Sequence, residues 1–432
     1  MKITELKKQP EGRRLEFKQK LPSASDIART VIAFANDAGG DLLIGVRNEP
    51  RELVGVKEDS LVKIEEKISS IIHDRCEPVI IPEISFHTIE GANLIRVQIC
   101  RGSNLPYYLK EKGKKEGTYI RIGSTNRIAD DEIIAELERQ KLNISFDSEP
   151  VHGITFSDLN IEPFRKFYIE RTGEDLNPGT LKKLELFKEY NDRSLAVNAL
   201  VLFSDSPARS QMFPYAKIEC ARFKGTTTHE FIDQKTINDN ISLQAEAAYE
   251  FITRHINKGA VVKGVYTDSR WEYPVVAIRE TIRNAVVHRD YSLTGKDIKV
   301  AVFDDMVEIT SPGKLLPSID FSDMEAGQSD IRNKVIAPVF RRLGIIDQWV
   351  NGLKLIAQDL KDYPEIEFKW KETGLQFQVQ FIKKEYGQQQ ELQQESDVFW
   401  DQVGTKLGLS WHQAGTKLAL SWHQAGTRFK KY

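Results

Sequence analysis

Glu280-Thr281-Ile282-Arg283-Asn284-Ala285-Val286-Val287-His288-Arg289-Asp290-Tyr291 is the stretch of this 432-residue chain on which the reading of its fold turns. Its period is helical. Glu280, Arg283, Asn284 and His288 fall at i, i+3, i+4 and i+8 and so share one stripe among apolar neighbours. A helix that only packs rarely places four such groups on one face. A carboxylate accepts a proton from water and an amide oxygen binds a hard cation, which makes Glu280 and Asn284 a candidate pair for water and cation chemistry. The plainer alternative is a polar stripe that ties the helix to a neighbouring domain or a second copy. A kinase-like role for His288-Arg289-Asp290 is excluded, because no Gly-rich loop, strand lysine or downstream Asp-Phe-Gly accompanies it.

Outward from this helix, residues 260–385 predict strands at Ile298–Phe303 and Met306–Thr310, helices near Asn333–Leu343 and Asn351–Leu360, and a hairpin of Glu365–Trp370 with Gly374–Ile382. Helices against an antiparallel sheet argue an α+β class. Residues 150–260 mix helices with an apolar run at Leu195–Phe203 and a strand at Ala216–Phe223, and carry no chemical motif. Residues 1–145 begin with a helix at Asp26–Phe34, capped by Ser25 or Asp26 and broken by Gly39-Gly40. A buried strand at Asp41–Val46 follows, then a helix at Leu61–Ile72, strands at Val79–Phe86, Leu94–Cys100 and Thr118–Ile122, and a charged helix near Asp130–Gln140. The expected units are 1–145, a middle connecting domain at 150–260, a third domain at 261–385, and a tail at 386–432. That tail is a Gln-rich linker followed by an 11-residue tandem repeat, read as short helical or disordered because each unit carries a glycine.

Four pieces of the first unit resemble the Schlafen AlbA-like domain: Glu11-x4-Glu16-Phe17-Lys18, Ala33-Phe34-Ala35-Asn36-Asp37-Ala38-Gly39-Gly40, Leu43-Ile44-Gly45-Val46 and Tyr119-Ile120-Arg121-Ile122-Gly123-Ser124. The resemblance implies nucleic-acid binding, with DNA favoured over RNA, and Lys18, Arg121, Ser124 and Arg127 as the contacting residues. Arginine and serine at a strand-loop edge suit phosphate contacts. Lys110, Lys112, Lys114 and Lys115 around Gly113 look like a charged hairpin tip. Asn36, in the last helical turn, reads as a structural cap. Nuclease-competent Schlafen proteins hold a metal with two glutamates and an aspartate. Here Glu11 and Glu16 keep the spacing as candidate catalytic carboxylates, but Asn48 stands in the aspartate's place.

The 280–291 string resembles the N-box of the RecG-like C-terminal, or divergent AAA, family, whose fold is a GHKL-type ATPase-like α/β sandwich. That likeness implies ATP and Mg²⁺ as cofactors, Glu280 as the catalytic residue orienting water, and Asn284 as the metal ligand. Asp305–Leu315 resembles the family's strand with its Asn-Pro-Gly, and Ile331-Arg332-Asn333 its Arg-Asn motif, so Ser311, Gly313 and Asn333 join Asn284 as cofactor-binding candidates. Two departures stand out. Ser311 replaces the base-binding carboxylate, and Val350-Asn351-Gly352-Leu353-Lys354 replaces a Gly-x-Gly turn whose bare backbone would cradle phosphates.

With 61 basic and 63 acidic residues the net charge of −2 gives no vote for nucleic acid, so any basic surface must be local. Cys76, Cys100 and Cys220 are widely spaced and read as buried free thiols, neither a disulfide frame nor a zinc site. The N-terminus lacks an apolar signal core, and the longest apolar run is well short of the ~20 residues a spanning helix needs, so a cytoplasmic protein without a membrane partner is expected. The expectation is therefore a nucleic-acid-binding transcriptional regulator with an ATP-binding-like C-terminal domain that senses nucleotide or holds a homodimer. The alternatives are a Schlafen-type metal-dependent endoribonuclease acting on structured RNA, and a catalytically dead interaction protein.

Overall fold

The computed structural model describes residues 9–190, 193–263, 266–319, 324, 330–346 and 352–384. The tail expected from 386 onward lies outside these residues, as do Val350 and Asn351. The chain is α+β, as expected.

The first unit contains β1 (Leu15–Lys18), α1 (Ala24–Asn36), β2 (Gly40–Ile44), α2 (Leu61–Arg75), β3 (Glu83–Ile89), β4 (Ala92–Ile99), the hairpin β5 (Tyr119–Ile122) and β6 (Thr125–Ile128), and α3 (Asp131–Lys141). Its four-stranded sheet runs β1-β2-β4-β3. β1 and β2 are parallel, and α1 is the crossover such a pair requires. Ser23 caps α1 by accepting the Asp26 N–H at 3.1 Å; neither Ser25 nor Asp26 does so. Ile27, Ala28, Val31, Ile32, Ala33 and Phe34 are fully buried, because α2, the β5–β6 hairpin and the sheet cover α1 on several sides. Gly39 (φ +72°) ends the helix, and a Cβ there would come 2.7 Å from the Ile99 carbonyl of β4. The close approach that the double glycine permits is therefore to the domain's own strand.

After Lys141 come β7 (Pro150–Thr155), α4 (Glu162–Thr172), β8 (Phe187–Tyr190), β9 (Arg193–Val197) and α5 (Asn198–Phe203), then β10 (Ile218–Phe223), β11 (Phe231–Ile237) and α6 (Ile241–His255). The third stretch holds α7 (Val275–Val287), β12 (Ile298–Val302), β13 (Met306–Pro312), α8 (Ile336–Arg342), α9 (Gly352–Lys361), β14 (Ile366–Thr373) and β15 (Gln376–Lys383). A six-stranded sheet runs β11-β10-β12-β13-β15-β14. β10 and β12 are parallel, with Cys220 opposite Val300, and the other neighbours are antiparallel. α6 packs on β10 and α7 on β13. One continuous core runs from Val151 to Phe381, so the boundary expected at 260 cuts through shared packing and the middle segment is part of the C-terminal unit. Cys76 and Cys220 are buried, and burial pushes both thiols up to about 12, whereas Cys100 is exposed against expectation.

The joint between the two units is pinned. Asp147, with no exposed surface, accepts the Val335 and Ile336 N–H groups at 2.8 Å each and so caps α8 from a distant part of the chain. Lys334 Nζ reaches back to the Asn143 carbonyl at 3.0 Å. Burial raises the Asp147 carboxyl, opposed by these hydrogen bonds. Asp147→Ala leaves two buried donors without a partner and is expected to lower stability by about 2 kcal/mol. Asp147→Asn, which keeps an acceptor oxygen, loses less. Urea unfolding monitored by circular dichroism checks the order.

Candidate functional site

In the N-terminal unit the residues expected to touch nucleic acid part company. Arg121 has no exposed surface. Its guanidinium meets Glu16 at 2.5 Å, donates to the Gly12 and Leu15 carbonyls at 3.0 and 3.3 Å and to Asn126 Oδ1 at 2.9 Å, and lies over the Phe34 ring. The expected phosphate contact is corrected for this residue, which clamps the N-terminal segment to α1 and β6. Asn126 faces Arg121 across the hairpin, and Arg127, one residue on, points to the other face and is exposed. Ser124 is exposed at the turn. Lys18 is half-buried and pairs with Glu16 at 2.7 Å. The four lysines expected at a hairpin tip border a short helix at Gly113–Gly117, and Lys114 and Lys115 pair with Glu138 and Asp131. Asn36 is structural but does not cap its own helix: its amide donates to the Tyr107 and Tyr119 carbonyls at 2.7 and 2.9 Å and accepts the Tyr107 N–H, tying α1 to those segments.

Glu11 and Glu16 keep their spacing but not a common metal. Glu11 accepts the Phe17 N–H at 2.7 Å and the Asn48 amide at 2.8 Å, while Glu16 is held between Arg121 and Lys18. Of the two acids that could stand in for the missing aspartate, Glu49 next to Asn48 is exposed, and Asp41 pairs with Arg96 at 2.6 Å. Among the described residues no trio of acidic, histidine or cysteine side chains converges as a metal site. Two cations on one carboxylate oppose a divalent ion there, so this geometry disfavours the ribonuclease alternative.

In the C-terminal unit a cavity of about 180 Å³ opens between α7, β13, the segment after it and α9. Glu280, Asn284, Ser311 and Gly313 all line it, so four of the expected residues meet. The stripe of α7 supplies the first two, and His288 comes with them one turn on. The Ser311 hydroxyl donates to the Ala285 carbonyl at 2.9 Å, which leaves its oxygen lone pairs to accept from a ligand. A Cβ at Gly352 would fall 2.1 Å from Glu280 Oε1, so the carboxylate sits against the first residue of α9, where a helix N-terminus attracts negative charge. Gly313 (φ +109°) leaves no room for a side chain beside Asp290. Ile309, Ile319, Ile331, Ile346, Leu353 and Val379 give the space apolar walls.

Asn333 is a correction. It is buried outside the cavity, and its amide donates to the Val287 and Arg289 carbonyls at 2.7 and 2.9 Å, closing the C-terminal end of α7. Arg289 is equally structural, donating to the Tyr215 and Lys296 carbonyls and stacking on Tyr291. Sequence reasoning missed Lys314, Arg332 and Arg341 in the lining. Arg332 stood inside a recognised motif, but nothing in the spacing set it apart from Asn333. Burial, with Arg332 beside it, pushes the His288 imidazole down to about 4, so this wall carries a neutral ring near pH 7.

These features make an apolar-walled cavity with a hydroxyl acceptor and a glycine at the strand end. The family matches define a nucleic-acid-related protein with an ATPase-like domain. Residues 11–130 match the family described as "Schlafen, AlbA_2", and residues 295–381 match the family described as "Putative ATP-dependent DNA helicase recG C-terminal", so the chain carries a domain of each. Among solved structures it is similar to the crystal structure of the DIP2311 protein from Corynebacterium diphtheriae, at 16% identity over 86% of this chain and 75% of that one, with a TM-score of 0.45. It is also similar to the solution structure of the "N-terminal Domain of Putative ATP-dependent DNA Helicase RecG-related Protein from Nitrosomonas europaea", at 30% identity over 29% of this chain and 88% of that one, with a TM-score of 0.23. No curated protein matches the chain. Among the described residues no helix is long and apolar enough to cross a membrane.

The two arginines of the hairpin separate structure from binding. Arg121→Met leaves buried Glu16 with Lys18 alone and takes the donor from the Gly12 and Leu15 carbonyls, and is expected to cost about 3 kcal/mol. Arg127→Ala is expected to leave the melting temperature unchanged, as scanning calorimetry on both variants would read out.

Proposed function

We propose that the protein is a nucleic-acid-binding regulator, of transcription in the most direct reading, whose N-terminal domain grips DNA in preference to RNA while its C-terminal domain binds ATP. The observation that carries this reading is the meeting of Glu280, Asn284, Ser311 and Gly313 from separate elements around one apolar-walled cavity. Ser311 would accept a hydrogen bond from the base, and the Asn284 amide oxygen would hold Mg²⁺ together with the nucleotide's phosphates. Bound there, the ion would supply charge neutralisation for the phosphate chain. Glu280, resting on the start of α9, orients water poorly while that contact lasts, so the domain senses nucleotide rather than turning it over quickly. Exposed Arg127 and Ser124, and Lys18 at the end of β1, supply the phosphate contacts. The protein works in the cytoplasm, and a homodimer held by the C-terminal domain fits the regulatory role.

Three measurements test the reading. The purified chain retains duplex DNA more tightly than tRNA, and its affinity falls steeply with salt as bound counterions are released. Arg127→Ala weakens retention for all sequences alike and lowers the salt slope by about one. Labelled ATP with Mg²⁺ binds the wild type, and Asn284→Ala weakens that binding about tenfold or more by removing the ion's protein ligand. Loss of all retention at low salt, or ATP binding indifferent to Asn284→Ala, defeats the corresponding half. Cleavage of either nucleic acid that Glu16→Ala abolishes restores the ribonuclease alternative.

A further inference from the structure

The segment after β13 has two sides. Gly313, Lys314, Leu315 and Leu316 line the nucleotide cavity, and the same four line a second cavity of about 100 Å³ between the two domains. They form a thin wall with space on both faces. Both domains hold that wall, and within its own the Gly313 N–H donates to the Leu375 carbonyl at 2.7 Å. Lys314 Nζ donates to Asp37 at 2.9 Å and to the Arg121 carbonyl at 2.6 Å. Arg13 grips Asp37 through two hydrogen bonds of 2.8 and 2.5 Å and donates to the Leu315 carbonyl at 2.9 Å. Arg14 donates to the Pro317 carbonyl. From its own domain the wall receives Glu372, which accepts the Leu315 N–H at 2.7 Å and pairs with Arg13 at 3.0 Å, and Arg332, which donates to the Lys314 carbonyl.

We propose that Asp37 and Arg13 are positioning residues for the nucleotide cavity of the other domain. Neither lines that cavity. They act through Lys314 and Leu315, fixing the wall in the shape that accepts the ligand. Because the same contacts dock the domains, nucleotide affinity and domain docking are linked, and linkage is reciprocal: whatever shifts the N-terminal domain on nucleic acid shifts nucleotide affinity by the same factor as nucleotide shifts nucleic-acid affinity. The physical warrant is a shared element, the wall itself, whose position both sites bias. This rests on the nucleotide reading above and adds that the site is incomplete without the first domain.

The test uses the full chain and four variants: Asp37→Asn, Lys314→Met, the double variant, and Asp41→Asn as a control. Asp41 is a paired carboxylate of the same domain, held by Arg96 at 2.6 Å, but touches neither cavity. Labelled ATP is expected to bind Asp37→Asn about fivefold or more weakly than wild type. Asp41→Asn binds as wild type does, and Asp37→Asn adds a clearly smaller loss in the Lys314→Met background than it causes alone. A loss of similar size in Asp41→Asn, or a full additional loss in the double variant, overturns the proposal, since general destabilisation would then explain it. Amide hydrogen exchange gives a second readout that needs no ligand: in folded Asp37→Asn the Leu315 amide exchanges about tenfold or more faster. Absence of ATP binding by the wild type defeats the nucleotide reading. The exchange result then decides alone, and an unchanged Leu315 rate in a folded Asp37→Asn overturns the positioning role.

Discussion

The molecule depends on a single buried carboxylate. Asp37 sits at the end of α1, and two cations from distant parts of the chain, Arg13 and Lys314, converge on it. Burial works to raise its carboxyl, but Lys314 and Arg13 together outweigh that and hold it below the ordinary aspartate value. A charge this deep is tolerated only when paired and hydrogen-bonded. Docking of the domains thus supplies half of the partners that make the burial tolerable. Asn36, clipped between two backbone carbonyls one residue earlier, fixes the helix end from which Asp37 projects.

The polar stripe of α7 shows how one helix can serve packing and chemistry together. Its C-terminal carbonyls are closed by Asn333, the Ala285 carbonyl takes the Ser311 hydroxyl, and Glu280 rests on α9. Among the groups lining the cavity are an amide, a neutral imidazole and a hydroxyl oxygen, able to recognise a ligand without a charge of their own to neutralise. The cations of the lining stand apart from them: Lys314 is engaged at the domain joint, and Arg332 spans the end of α7, Asp290 and the wall.

Much of this is legible in the sequence. The i, i+3, i+4, i+8 spacing places α7 within a residue or two and assembles Glu280, Asn284 and His288 on one face, because helical period is a local property. The double glycine marks the end of α1 for the same reason, while the start is read late, at Ser25 or Asp26 in place of Ser23. What escapes is non-local. Arg121 and Arg127 look alike in a strand, and only cross-strand pairing sends one inward to Glu16 and the other out. Asn333 sits in a recognised motif, yet its partners are carbonyls more than forty residues away. Lys314 carries no local signal at all, since its meaning comes from Asp37 across the domain joint. The run Leu195–Phe203 is apolar but for Asn198, and periodicity could not divide it into the end of β9 and the buried α5 that Asn198 begins.

The parallel pairing of β10 with β12 also has a bearing on how the chain can be divided. The stretch matched to the recG C-terminal family begins at residue 295, yet the neighbour that β12 needs on one side, and the helix bearing Glu280 and Asn284, both lie before that point. Cut there, the piece would carry a raw sheet edge where β10 belongs and would lack the floor of its own ligand site. On this side of the molecule the shared core reaches back to Val151, so the matched stretch draws a strand and a helix from the middle of the chain.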